Sequence, residues 1–172
     1  MLCLIFLLLS LSCKKFRLLP CWHAASNRWT LNNELPAKIV VYRDGVSEGQ
    51  LHVVENYEVQ QIYQSFAPFG EQYMPQVVVI VVQKRINTTI CLNRDMPENP
   101  PSGTVLDHGV TNPNWCDFFL VSQHVRQGTV SPTHYVVLHN TTKLSPDHLQ
   151  RLFYTNFYTM ECFDFPCDRN IL

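Results

Sequence analysis

The residue best placed to do chemistry is an aspartate that follows an apolar, β-branched run. The run at 38–43 is followed at once by Asp44 and Gly45, and a helix-like pattern begins at Ser47. These features predict a buried strand that turns tightly into a helix. In open α/β sheets, ligands bind outside the carboxyl ends of such strands. Asp44 is therefore a candidate catalytic or metal-binding carboxylate, and the alternative is a turn aspartate that caps the next helix.

Two short basic sequences are candidates for contacts with a polyanion. Lys84 and Arg85 follow a second apolar run, and Arg126 lies in a polar loop that contains Gly128. The formal net charge of -1 gives no global argument for a nucleic-acid partner, so any such site depends on these local clusters. The alternative for Lys84 and Arg85 is a solvated loop, and the alternative for the loop of Arg126 is a turn formed around Gly128.

The seven cysteines contain no CxxC pair, and the seven histidines show no metal-like spacing. Neither a zinc site nor a thioredoxin-like motif is indicated. We expect reduced thiols that are buried like small hydrophobes, with a disulfide framework as the alternative.

The elements that must position these side chains are predicted to form one α/β domain. An apolar fraction of 46% and a charged fraction of 16% are typical of a globular chain with a core. The unbroken β-branched run at 76–83 predicts a central parallel strand that is covered on both faces. A helix is predicted over 47–69, with Ser47 and Gln50 as a capping box. Its helical spacing is carried by Leu51, Val54, Tyr57 or Glu58, Ile62 and Phe66. Further strands are predicted at 103–111, 117–121 and 134–139, and a second helix from Ser145 onward.

The first eleven residues are almost wholly apolar, yet too few to span a bilayer as a helix. Their length suits the apolar region of a secretory signal, but no positive charge precedes them and Lys14 follows them. The alternatives are an apolar helix taken from a larger domain and an unnatural N-terminus.

Several consecutive blocks of the chain, in order and with fitting spacing, resemble the C-terminal half of a Piwi domain of the animal Piwi branch of the Argonaute proteins. The blocks are IVVYRDGVSEGQL at 39–51, VVQKRINT at 81–88, PSGTVLDH at 101–108, DFFLVSQHVRQGTVSPTHY at 117–135 and LSPDHLQRL at 144–152. The resemblance implies an α/β, ribonuclease H-like fold, with a mixed sheet and flanking helices, that is incomplete here. It divides the chain into an unmatched segment at 1–34, a partial Piwi domain at 35–158 and an unmatched tail at 159–172.

In that family, RNA cleavage uses a carboxylate-rich tetrad with two divalent metals, which hold the attacking and leaving oxygens. The resemblance makes Asp44 one tetrad member and Mg²⁺ the implied cofactor. The other members find no match, and Asp107, His108, His134 and His148 do not occupy their positions. Because a lone carboxylate holds Mg²⁺ weakly, we expect no cleavage by this chain alone. The alternatives are a Mg²⁺-dependent, guide-directed RNA endonuclease within a longer product, and a degenerate remnant that acts only in protein interaction.

The resemblance also implies a surface that holds the phosphates of a guide RNA and a target RNA. Its expected residues are Gln83, Lys84, Arg85, Asn87, Thr88, Arg126, Gln127, Thr129 and Ser131. Thr89 stands where the family usually has an arginine, so one phosphate contact is expected to be lost. The implied function is RNA binding in small-RNA silencing of the piRNA type, in the cytoplasm, alongside silencing-pathway proteins and without membrane or small-molecule partners.

Overall fold

The computed structural model describes residues 4–9, 35–84, 86–93, 97–125 and 127–160, with side chains described between residues 35 and 155. Within this part of the chain, six strands form one mixed sheet in the order β1-β2-β3-β6-β5-β4. The strands are β1 Leu4–Leu9, β2 Lys38–Asp44, β3 Gln76–Gln83, β4 Val105–Leu106, β5 Cys116–Leu120 and β6 Thr133–Asn140. Strands β1, β2 and β3 run parallel, whereas β6 is antiparallel to both β3 and β5. The strand predicted at 76–83 is central, as expected, but it is parallel only to β2 and antiparallel to β6.

Two helices within the described ranges cover the sheet. Helix α1 is a continuous stretch of four segments: a 3-10 turn at Glu48–Gln50, an α segment at Leu51–Val53, a π segment at Val54–Glu58 and an α segment at Val59–Gln64. The Gln50 side chain accepts a hydrogen bond from the Ser47 amide at 3.5 Å, as the predicted capping box requires. A separate 3-10 turn follows at Ala67–Phe69. Helix α2 spans Pro146–Met160 and begins after Ser145, as predicted.

Each face of the sheet has its own core, because successive side chains of a strand point to opposite faces. On the α1 face, Ile39 and Val41 pack with the helix residues Val54 and Ile62. On the α2 face, Val40 and Tyr42 belong to a cluster with Leu149 and Phe153. Strand β3 is buried on both faces from Val77 to Val82, which confirms the prediction made from its unbroken β-branched run.

The strand directions bring several loops to one end of the sheet. Asp44 ends β2 opposite Val82 of β3, and Gln83 at the end of β3 pairs with His134 at the start of β6. Leu120 at the end of β5 pairs with Thr133, again at the start of β6. The segments that follow β2, β3 and β5 therefore emerge together at one end of the sheet. We call this end the carboxyl-end face, which is distinct from the two faces that the helices cover.

Local structure differs from expectation in two places. Residues 4–9 form a strand beside β2, so the apolar helix, one of the alternatives for this segment, is wrong. The strand predicted at 103–111 is reduced to Val105–Leu106, because Gly103 and Gly109 turn the chain with φ angles of 91° and 80°. The remaining residues of the 1–34 segment and residues 161–172 of the tail lie outside the described part of the chain.

The thiol prediction also needs correction. Cys91 and Cys116 are free, as predicted, but both are exposed rather than buried; the other five cysteines lie outside the described residues. Burial of part of Cys116, followed by the charge of Asp117, raises the pKa of its thiol and favours the neutral form. No helix among the described residues has both the length and the apolar character that a membrane span requires.

Replacing Gly103 should destabilise the protein through two separable causes. The residue has a positive φ, and an added Cβ would lie 3.3 Å from Cζ of Tyr154 on helix α2. Gly103→Ala should therefore lower the free energy of unfolding by about 1–3 kcal/mol, as measured by urea denaturation. Gly109→Ala has the same kind of φ with nothing within 4 Å and should cost less, and Gly49→Ala should be close to neutral. Equal losses for Gly103→Ala and Gly109→Ala would show that the Tyr154 contact has no energetic weight.

Candidate nucleic-acid interface

Asp44 lies at the carboxyl-end face with about a third of its side chain exposed. The chain reverses at once at Gly45, whose φ is 79°. The ammonium of Lys84, just beyond β3, lies 3.7 Å from Oδ2 of Asp44, and 57% of its side chain is exposed. The predicted carboxylate and the predicted phosphate ligand are therefore neighbours and form an ion pair. Because both groups reach solvent, this pair contributes little to stability.

A buried ion pair supports the backbone at Asp44. The guanidinium of Arg43 donates hydrogen bonds from Nε to Oε2 of Glu58 at 2.9 Å and from Nη2 to Oε1 at 3.3 Å. Both side chains are only 8% exposed. The Nη1 group of Arg43 donates to the carbonyl oxygen of Asp44 at 2.8 Å. One side chain therefore links the end of β2 to helix α1 and restrains the turn that presents Asp44.

Helix α1 brings Glu58 to Arg43 through its π segment. Glu58 is the last residue of that segment and is buried, whereas the preceding Tyr57 is two-thirds exposed. The helical pattern left Tyr57 and Glu58 as alternatives for the buried position, and the structure selects the acid. The sequence alone does not decide between them, because a carboxylate is buried only where another element supplies its partner, here Arg43.

A second polar network connects β3, β6 and β5 beneath the loops. Gln83 donates from Nε2 to the Val46 carbonyl at 3.1 Å, and its Oε1 lies 2.9 Å from Nδ1 of His134. Nε2 of His134 lies 2.8 Å from Oδ2 of Asp117, and the ring stacks on Phe119 with centroids 4.3 Å apart. The Gln83 amide, expected at an RNA contact, thus forms its hydrogen bonds within the protein. These hydrogen bonds hold the turn after β2 against β6.

Asn99 joins two loops of the carboxyl-end face. Its Nδ2 donates to the Gly128 carbonyl at 2.7 Å, and its Oδ1 accepts a hydrogen bond from the Val130 amide at 3.0 Å. Gly128 has a φ of 86°, which permits the turn. Sequence reasoning missed Asn99, although an asparagine beside two prolines in a polar loop is a common turn residue.

Five further predicted contacts within the described residues follow β3 or precede β6, at the same end of the sheet. Asn87, Gln127, Thr129 and Ser131 are exposed, and Thr88 is half-buried. Arg85 and Arg126 lie outside the described residues. Ammonium, amide and hydroxyl groups are the side-chain donors that contact phosphate oxygens in nucleic-acid complexes. The arrangement can therefore bind a phosphate backbone.

The donor set at Asp44 does not fit a magnesium centre. Among the described residues, no group of three or more His, Cys, Asp or Glu side chains is arranged to hold a metal ion. Within the described part of the chain, the charged group paired with Asp44 is an ammonium rather than a second carboxylate. Mg²⁺ requires near-octahedral oxygen coordination, and a positive charge at this distance opposes it electrostatically.

Asp107 is committed to contacts away from Asp44. Its Oδ1 is hydrogen-bonded to Nδ1 of His108, and its Oδ2 accepts from Nε2 of Gln150 on helix α2 at 3.1 Å. The hydrogen bond from His108, followed by that from Gln150, lowers the pKa of the Asp107 carboxyl. These contacts give Asp107 a local role in joining its loop to α2.

Comparison with known proteins places these features in context. Residues 21–162 match the protein family described as the Piwi domain. Piwi-like protein 1 of Gallus gallus is 49% identical over 136 residues, which are 78% of this chain and 16% of that protein. The crystal structure of Drosophila Piwi matches with a TM-score of 0.69 and 40% identity, over 77% of this chain and 19% of that one.

A structure of Kluyveromyces polysporus Argonaute with a guide RNA is also similar, with a TM-score of 0.61 and 33% identity over 72% of this chain and 17% of that one. The present chain thus spans less than a fifth of each of these three proteins. The expected ribonuclease H-like architecture and the resemblance to animal Piwi proteins are confirmed.

Breaking the buried ion pair should be costly. Glu58→Ala leaves the Arg43 guanidinium buried without its carboxylate, and the free energy of unfolding should fall by about 3–5 kcal/mol in urea denaturation. Glu55→Ala, on the same helix, removes a carboxylate that lies 3.8 Å from His52 at a partly exposed site, and it should change stability by no more than about 0.5 kcal/mol. The double variant Arg43→Met/Glu58→Leu should lose less than Glu58→Ala. Equal stability of Glu58→Ala and Glu55→Ala would contradict the role assigned to the pair.

Proposed function

The chain belongs to the Piwi domain family, and on that basis we propose that its carboxyl-end face binds the phosphate backbone of a guide RNA and its target in small-RNA silencing of the piRNA type. One observation supports this proposal above the others. Lys84, Asn87, Gln127, Thr129 and Ser131 are exposed at the same end of the sheet, although they come from two loops that are far apart in sequence.

The chemistry of the face suits a contact that depends on backbone shape rather than on base sequence. Lys84 supplies a solvated cation, and the amide and hydroxyl groups supply hydrogen-bond donors. A-form RNA is recognised mostly through its phosphates, its 2′-hydroxyls and its shape. No bulky hydrophobic side chain is needed for such a contact, so a modest polar surface is sufficient.

The internal networks support the proposal by holding the face in place. Asn99 links the 97–100 segment to the loop of Gln127 and Thr129, and the Gln83–His134–Asp117 network lies beneath the start of β6. A preorganised surface loses less conformational entropy when it binds than a flexible one. We assign Gln83 to this positioning role in place of a direct contact with RNA.

The proposed function is binding in the cytoplasm rather than cleavage. Asp44 has a lysine as its charged neighbour, and the two-metal mechanism needs several converging carboxylates. A protein-interaction role without RNA is the competing outcome, and the following experiment distinguishes it.

Lys84 should account for about one phosphate contact. We expect the purified chain to bind a fluorescein-labelled single-stranded RNA, with an affinity that falls as KCl is raised. Lys84→Gln should weaken binding and reduce the slope of log K against log salt by about one phosphate equivalent, because that slope reports neutralised phosphates. Fluorescence anisotropy across a series of KCl concentrations measures both quantities.

Lys143→Gln is the matched control. It removes the same charge from an exposed position between β6 and α2, at the opposite end of the sheet. Its salt slope should equal that of the parent chain. Equal effects of the two substitutions would show non-specific attraction, and absence of RNA binding by the parent would leave the protein-interaction role.

A further inference from the structure

The surroundings of Asp44 differ from those of a metal ligand in one specific way. The cationic group beside its carboxylate belongs to the chain itself: Nζ of Lys84 lies 3.7 Å from Oδ2. Asp44 lies opposite Val82, and Lys84 follows two residues later along the same chain direction. The pairing therefore follows from the strand register and does not depend on a distant loop.

The anchoring of Asp44 favours this pairing. Arg43 donates to the Asp44 carbonyl and is itself held by Glu58, so the backbone that bears the carboxylate is restrained from within the core. Lys84 has the freer side chain of the two, being 57% exposed against 32% for Asp44. When a competing anion approaches, the lysine is therefore the partner that moves, and its movement breaks the ion pair with Asp44.

We propose that Asp44 serves in this chain as the counter-ion of Lys84, and that it restrains the lysine from nucleic-acid phosphates. The proposal rests on the proposed RNA-binding function and specifies how that site is tuned. A phosphate must displace the Asp44 carboxylate before it gains the full attraction of Lys84. Removing the carboxylate charge should thus strengthen RNA binding, which is opposite to the effect of removing a metal ligand that helps to hold RNA.

The test is Asp44→Asn, which keeps the size of the side chain and removes its charge. In KCl buffer with EDTA, anisotropy with labelled single-stranded RNA should show about two- to fivefold tighter binding than the parent, the range that corresponds to an exposed ion pair. Glu71→Gln is the matched control, because it makes the same change in net charge at an exposed position before β3, at the opposite end of the sheet. It should change the affinity by less than half as much on a logarithmic scale.

A double-mutant cycle assigns the gain to Lys84. In the Lys84→Gln background, Asp44→Asn should give no more than the Glu71→Gln effect, because the restrained cation is gone. A gain that persists without Lys84 would overturn the proposal. So would weaker RNA binding by Asp44→Asn in Mg²⁺ with no change in EDTA, since that result identifies a metal ligand.

An RNA-independent measurement separates failure of this proposal from failure of the proposed function. The chain has five lysines, so reductive ¹³C-methylation gives few NMR signals, and loss of one signal in Lys84→Gln assigns Lys84. Asp44→Asn should move that signal, and Glu71→Gln should not. An unmoved signal refutes the ion pair whatever the RNA result. A moved signal with no RNA binding by either the parent or Asp44→Asn refutes the RNA function and the restraint on phosphate binding together.

Discussion

The burial of a charged pair between strand and helix is the constraint on which the rest of the structure depends. Arg43 and Glu58 are almost wholly removed from water, and each would be costly there without the other. Because Arg43 lies one residue before the end of β2 and Glu58 is the last residue of the π segment of α1, the pair determines how the helix leaves the strand. The same guanidinium donates a hydrogen bond to the Asp44 carbonyl, so the backbone of the candidate site is restrained by a side chain of the core.

The mixed sheet then determines which loops meet. Strand β6 runs antiparallel to β3 and β5, so its beginning lies beside the ends of both neighbours. A chain of hydrogen bonds from Val46 through Gln83 and His134 to Asp117 crosses these strands where the loops begin. Polar groups buried in this way are stable only when all of them are paired, and here they also align the loops.

Much of this organisation was predictable from the sequence, because strand ends and hydrophobic periods are local signals. Asp44 and Lys84 were expected at the carboxyl ends of buried strands, and they lie there. The choice between Tyr57 and Glu58 was not predictable, since a π segment shifts the period of the helix by an amount that only tertiary contacts reveal. The internal role of Gln83 was not predictable for a similar reason. Its partners, Val46 and His134, come from other elements, so the sequence does not show that they lie beside it.

The outer strands differ in how readily they would pair with another chain. Among the strands that the structure describes, the last one at one side of the sheet is β4, which has only two residues and so offers few free amide and carbonyl groups. At the other side the last strand is β1, with the wholly apolar sequence Leu-Ile-Phe-Leu-Leu-Leu. Long apolar edge strands are templates for self-association. Self-association of the purified chain should therefore depend on Leu4–Leu9, a segment far in sequence from the face proposed to bind RNA.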